Sequence, residues 1–203
     1  MKEIYFITAT NTNIGKTKAS EKFLEKFSSL GKKVGYFKPI ETGVIDEALD
    51  GVKMFNLTKK LNKNFECLNI NDIVPYQFKL AAAPFVANEN NIDINITFIK
   101  EKINYLLKFC DILIIEGAGG LLVPIKKDYF IIDLIKDINP KKTFLITPSK
   151  LGCINDTLLN INFLKKENIN FEWYINLYEN KDEFNEITLP FYKAYFDKIS
   201  FLQ

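Results

Sequence analysis

The sequence contains no histidine. That absence removes His-centred nucleophilic triads, imidazole general bases and most zinc sites. Asp, Glu, Lys, Thr and backbone groups are left to carry any acid–base or metal chemistry. Cysteine is scarce. Cys67, Cys110 and Cys153 are far apart, form no metal-ligand spacing and point to a reducing, cytoplasmic compartment. Long apolar runs are missing too: none approaches the roughly 20 residues that span a bilayer. The N-terminus, Met1-Lys2-Glu3-Ile4, passes straight into a strand-length apolar run without the layout of a signal peptide. Nor is one sign of charge in surplus. The 27 basic and 25 acidic residues leave a net charge of +2. Pairs such as Lys32-Lys33 and Lys141-Lys142 read as solvated surface, so neither a nucleic-acid nor a membrane partner is expected.

What is present suits one compact domain. The chain has 203 residues, 47% of them hydrophobic, and no internal repeat or low-complexity linker, so 1–203 is expected to be a single domain. Residues 4–8 form a short apolar run that ends in a polar loop. Helical periodicity starts at Thr17, runs through Phe23, Leu24, Phe27 and Leu30, and stops at Gly31. Residues 34–37 read as a second strand ended by Pro39, 46–62 as a helix, 63–95 as irregular and 98–109 as a helix. Residues 112–115 are a continuous apolar run, the mark of a central parallel strand, and end in Glu116-Gly117-Ala118-Gly119-Gly120. Further strands are expected at 143–147 and 171–175, with a helix from 154 to 164 between them. Strands alternating with helices predict an α/β fold, a doubly wound, mostly parallel sheet with helices on both faces, and the phosphate loop described next makes it of the P-loop NTPase type. Ligands of such sheets bind at the carboxyl ends of the strands, where each motif below falls.

The first strand runs into Thr8-Ala9-Thr10-Asn11-Thr12-Asn13-Ile14-Gly15-Lys16-Thr17, whose last three residues end a Walker A loop. Successive backbone N–H groups and a helix N-terminus cradle phosphate oxygens. Gly15 permits close approach, Lys16 reaches the β and γ phosphates, and the Thr17 hydroxyl ligates Mg²⁺. The upstream glycine of the standard pattern is replaced by Thr10, and that of a longer variant by Ala9. Glu116, at the end of the central strand, is expected to reach the metal directly or through water. The glycines after it allow tight turning near phosphate. Lys38-Pro39-Ile40-Glu41-Thr42-Gly43 follows the second strand, which brings Lys38 towards the phosphates to stabilise charge on a transferred phosphoryl group. Asp50 stands at the expected start of a helix, where a carboxylate serves equally as N-cap or metal ligand; spacing leaves both open.

Together these motifs resemble dethiobiotin synthetases of the deviant P-loop group. The matching pieces are the loop from Thr8 to Thr17, the Lys38 to Gly43 segment, Glu116 to Gly120 with Pro124, and Lys150-Leu151-Gly152-Cys153-Ile154-Asn155. They occur in the family's order across about residues 4–176. The resemblance implies a ligase that carboxylates 7,8-diaminononanoate with carbon dioxide. ATP or another nucleoside triphosphate activates the carbamate as a mixed anhydride, and the second amine closes the cyclic urea. It implies Mg²⁺ held by Thr17, Asp50 and Glu116, and Lys16 and Lys38 as catalytic contacts to phosphate and carbamate oxygens. It also implies nucleotide contacts from Asn13, Ile14, Gly15, Lys16, Thr17, Glu116, Gly117, Gly119 and Asn176. Thr12, Lys38 and Thr42 would border the diamine, and Leu151, Gly152, Cys153 and Asn155 would receive its carboxylate across a homodimer. Asn13 stands where many members carry Glu, and the region after Asn176 is short. The alternative is a partition or septum-positioning ATPase acting as a nucleotide-dependent switch. Those proteins carry a signature lysine early in the loop, where this chain has none. An amidotransferase-like synthetase relative acting on a corrin precursor is disfavoured by the absent histidine.

Overall fold

A computed structural model of the protein describes residues 2–178 and 181–202; Met1 and Gln203, at the two ends of the chain, lie outside them. The chain opens with β1 (Glu3–Ala9), α1 (Lys16–Ser29), β2 (Val34–Phe37) and a short β3 (Ile40–Thr42). There follow α2 (Leu49–Leu61), α3 (Ile70–Ile73), β4 (Tyr76–Phe78), α4 (Pro84–Ala87) and α5 (Ile96–Leu106). Next come β5 (Ile112–Gly120), the hairpin of β6 (Pro124–Lys126) and β7 (Tyr129–Phe130), α6 (Ile131–Ile138), β8 (Lys142–Pro148), α7 (Cys153–Lys166) and β9 (Phe171–Asn176). The C-terminal part holds α8 (Lys181–Glu183), a π-helical turn (Phe184–Thr188) and α9 (Leu189–Tyr195).

The main sheet has the order β2-β5-β1-β8-β9, and all its pairings are parallel. Its middle is the most apolar part of the chain: Leu113, Ile114 and Ile115 of β5 and Phe6 and Ile7 of β1 are fully buried. Helices bury a sheet like this on both faces, which explains continuous apolar strands rather than alternating ones. On one face α1 presents Ala19, Phe23 and Leu24. The Phe23 ring stacks on Phe144 with centroids 4.0 Å apart, and Phe144 stacks on Tyr5 at 5.4 Å. Burying one such ring contributes about 1.5–3 kcal/mol. β1 is central, with β5 on one side and β8 on the other. The chain changes direction across the sheet there, and its first loop opens into the resulting crevice.

Two expectations need correction, and one open alternative closes. The central strand does not stop at residue 115 but continues with a register shift to Gly120, so the glycine segment is extended chain and not a plain turn. Residues 63–95 are not simply irregular: they carry helical turns and β4, which pairs with β3 in a second, two-stranded parallel sheet. Asp50 is not the N-cap of α2. Ala48 holds that position, and Asp50 lies inside the first turn. At the C-terminus, Tyr192 is fully buried against Trp173 and Phe184, and Phe201 makes a parallel bridge to Ile175 of β9. Phe191 and Tyr195 of the same segment stay exposed.

Candidate functional site

The loop after β1 turns into α1 through two left-handed residues, Asn13 (φ 61°) and Gly15 (φ 103°). A Cβ on Gly15 would lie 2.2 Å from the Asn176 side chain, so this glycine is required by space as well as by φ. Asn176, at the end of β9, donates its amide to the Ile14 carbonyl at 2.9 Å and ties the fifth strand to the loop. Lys16 is the first residue of α1, and its ammonium donates to the Asn11 carbonyl at 3.1 Å. Burial pulls Lys16 down to about 8, against the pull of Glu116 in the other direction.

Glu116 is the centre of the site. It leaves β5 completely buried, and its carboxylate receives four donors. The Thr17 hydroxyl and the Lys38 ammonium donate to Oε1 at 3.0 and 2.7 Å. The hydroxyls of Ser20 and Tyr36 donate to Oε2 at 2.7 and 3.0 Å. Burial pushes the Glu116 carboxyl up, but the charge and hydrogen bond of Lys38, the Ser20 hydroxyl and the Lys16 charge outweigh it and leave the group below its ordinary range. Lys38 is the mirror image. Burial pulls it down, and the charges of Glu116 and Asp50 more than restore it, so it remains a cation. Removing either partner would strand a buried charge.

The Lys38 ammonium also reaches Asp50 Oδ2 at 3.3 Å. Thr17, Glu116, Lys38 and Asp50 thus form one continuous chain of short contacts around a cavity of about 710 Å³, within the size range of small-molecule sites. Thr12, Asn13, Gly15 and Thr42 line the same cavity, and Ala81, Ala82, Ala83 and Pro84 give it an apolar wall. The anionic donors are all oxygens, the chemistry that suits Mg²⁺. Among the described residues no three His, Cys, Asp or Glu side chains cluster to hold a metal unaided. Two carboxylates and a hydroxyl fit a hard cation that takes its remaining ligands from phosphate and water.

Two expected groups do not line the cavity, and of these the start of α7 was expected to serve a partner subunit's site. Gly117 does not line the cavity; a Cβ there would press on the Phe6 ring at 3.0 Å, so this glycine serves strand packing, whereas Gly119 (φ 69°) does line it. Leu151, Gly152, Cys153 and Asn155 form the start of α7, outside the cavity of their own chain. Leu151 is 86% exposed, and nothing lies within 4 Å of a Cβ built on Gly152, whose φ is 90°. Cys153 is buried in a small cluster with Ile175, Phe184 and Tyr192.

Sequence reasoning missed Ser20, Tyr36 and Glu41. Ser20 lies one helical turn after Thr17 on the same face of α1, a signal that was available. Tyr36 sits in a strand whose residues are all buried, and its orientation needed the sheet.

A family model described as an AAA domain matches residues 3–186. The ATP-dependent dethiobiotin synthetase of Sulfurovum sp. is 52% identical over 94% of this chain and 90% of its own. The chain belongs to the dethiobiotin synthetase family. The enzyme of that name from Wolinella succinogenes is 35% identical over 93% of the chain and 87% of its own. Solved structures add the fold alone. A plasmid partition protein of Borrelia burgdorferi superposes with a TM-score of 0.60 at 12% identity, covering 98% of this chain and 88% of that one. The septum site-determining protein MinD of Pyrococcus horikoshii, solved with Mg-ADP, gives 0.53 at 16% identity, covering 88% and 72%. The partition and septum-positioning ATPases are therefore fold relatives of this synthetase. Among the described residues no helix is long and apolar enough to cross a membrane.

Proposed function

We propose that this dethiobiotin synthetase works as one catalytic domain in the cytoplasm, using Mg²⁺ and ATP or another nucleoside triphosphate to carboxylate 7,8-diaminononanoate and close its cyclic urea. The observation that carries the site assignment is the fully buried Glu116 carboxylate of β5, held by Thr17 at the start of α1 and by Lys38 just after β2. In this reading Thr17, Asp50 and Glu116 hold the metal, which supplies charge neutralisation at the transferring phosphate. Asn13, Ile14, Gly15 and Lys16 cradle the phosphates, with Gly119 close to them and Asn176 beside the loop on the nucleotide side. Lys38 stands where a carbamate oxygen and the γ-phosphate would meet, and Thr12 and Thr42 border the diamine. The amine of the diamine is itself the nucleophile, so catalysis needs positioning and charge stabilisation rather than an enzyme nucleophile or an imidazole base.

The same reading makes the enzyme a homodimer. The helix start at Gly152 has backbone donors suited to a carboxylate, and it does not line its own chain's cavity. Further along α7, Leu159 and the nearby Leu122 are exposed around a shallow groove with Leu121 and Phe163, a surface suited to covering by a second copy. The test of the activity is direct. Enzyme, MgATP, diamine and bicarbonate should yield dethiobiotin and phosphate in equal amounts. Phosphate release indifferent to the diamine but stimulated by DNA or lipid would overturn the reading in favour of a nucleotide switch.

A further inference from the structure

The helix that carries Asp50 has no cap of its own. α2 begins after Ala48, which offers no side-chain acceptor. Other helical segments here use a neighbouring asparagine: Asn95 accepts from the Phe98 amide at 3.0 Å, and Asn69 from the Asn71 amide at 2.9 Å. For α2 the acceptor comes from a different element. Glu41, in the middle of β3, takes the Asp50 amide on Oε1 at 3.0 Å and the Gly51 amide on Oε2 at 2.9 Å. Both oxygens of one carboxylate thus satisfy two of the donors that every helix start leaves open, and a negative charge lies at the positive end of the helix. Gly51 is what allows the approach: a Cβ there would lie 3.0 Å from Glu41 Oε2 and 2.3 Å from Val74. Glu41 itself is fixed, being 6% exposed on a strand whose other edge pairs with β4.

We propose that Glu41 is the positioning residue for Asp50, a remote helix cap that ties the metal-facing carboxylate to the strand following Lys38. The backbone amide that Glu41 holds belongs to Asp50, so the cap sets where that residue's Cα stands relative to Lys38 and Glu116. The Asp50 side chain is 48% exposed and, among the described residues, is held by Lys38 at 3.3 Å, so little else constrains it. The inference rests on the reading of Asp50 as a metal ligand.

The test is Mn²⁺ affinity, read by paramagnetic resonance on the full-length enzyme with a non-hydrolysable ATP analogue, for the wild type, Glu41→Ala, Glu41→Gln and Asp50→Asn. Glu41→Ala should weaken Mn²⁺ binding about five- to tenfold, the weight of a helix N-cap, with metal-free nucleotide affinity changed less than twofold. Glu41→Gln keeps one acceptor oxygen and should fall between, and it serves as the readout if the alanine variant does not fold. Amide exchange at Asp50 and Gly51 should accelerate in the same order. If Asp50→Asn weakens Mn²⁺ binding and neither Glu41 variant does, Glu41 has no positioning role. If Asp50→Asn leaves Mn²⁺ affinity unchanged, the metal reading of Asp50 fails and this inference falls with it.

Discussion

The strand-end cleft and the start of α7 are built from similar parts to opposite effect. In the cleft a left-handed glycine opens a helix, and the charges around it are answered within the chain. Glu116 has four donors, Lys38 has two carboxylates, and Lys16 rests on a loop carbonyl. At α7 another left-handed glycine, Gly152, opens another helix, but the residue before it points into solvent and a Cβ on the glycine would meet nothing. The first region has its partners in place. The second leaves its helix start open to solvent. A fold can repeat one device, the helix start as anion site, and the surroundings decide whether it is finished by its own chain.

The largest expected effect lies in the finished region. Lys16→Ala should lower the turnover of phosphate by about 10²–10³, the usual loss for one charge contact to a transition state, with the fold intact. Steady-state phosphate release together with a thermal melt checks both halves of that statement. Glu116→Ala should act on stability instead. It leaves the Lys38 ammonium buried without its main partner, a loss of about 3–5 kcal/mol, to be read from urea unfolding. Glu116→Ala with Lys38→Met should recover part of that loss, since the stranded charge is gone. In the open region, Gly152→Trp should raise the diamine KM about tenfold, equivalent to 1.4 kcal/mol, and alter nucleotide affinity little. If it weakens both equally, the two regions are not separate in function.

A gentler probe is pH. Burial holds the free Lys16 near 8, while a bound triphosphate favours its charged form. Nucleotide affinity therefore stays level below that pH and declines above it, as the free enzyme loses the proton that binding requires. A calorimetric titration should show about a tenfold weaker nucleotide affinity at pH 9 than at pH 7, an effect that Lys16→Ala removes.

Much of this comparison was legible before any coordinates. Local chemistry writes itself into the sequence. Gly15-Lys16-Thr17 after an apolar run, Glu116 directly after Leu113-Ile114-Ile115, and Lys38 after β2 are each one residue type following an apolar run, and the structure brings all three together. What the sequence hides is partnership between distant elements. Tyr36 reads as a core aromatic until β2 is laid beside β5, where its hydroxyl meets Glu116. Glu41 reads as one letter of a motif until β3 is laid beside the first turn of α2. α6 escaped notice for another reason. Its eight residues do carry the helical period, with Asp133, Lys136 and Asp137 on one face and the buried Ile131, Ile132, Leu134 and Ile135 on the other, but two turns are too short a run to stand out. Gly117 has a second, structural reason to be glycine. Its glycine-rich company suggests phosphate, and the Phe6 ring beside it leaves no room for a Cβ.

The account turns on the open region being completed by a second copy, and subunit mixing tests that most directly. Lys16→Ala and Gly152→Trp subunits, each with a tenth or less of wild-type activity at low diamine, are combined under conditions of proven exchange. A site built from the cleft of one chain and the α7 start of the other predicts recovery to about one quarter of wild-type activity, since half the dimers are mixed and each regains one of two symmetric sites. No recovery, or full activity from a monomer, would contradict it.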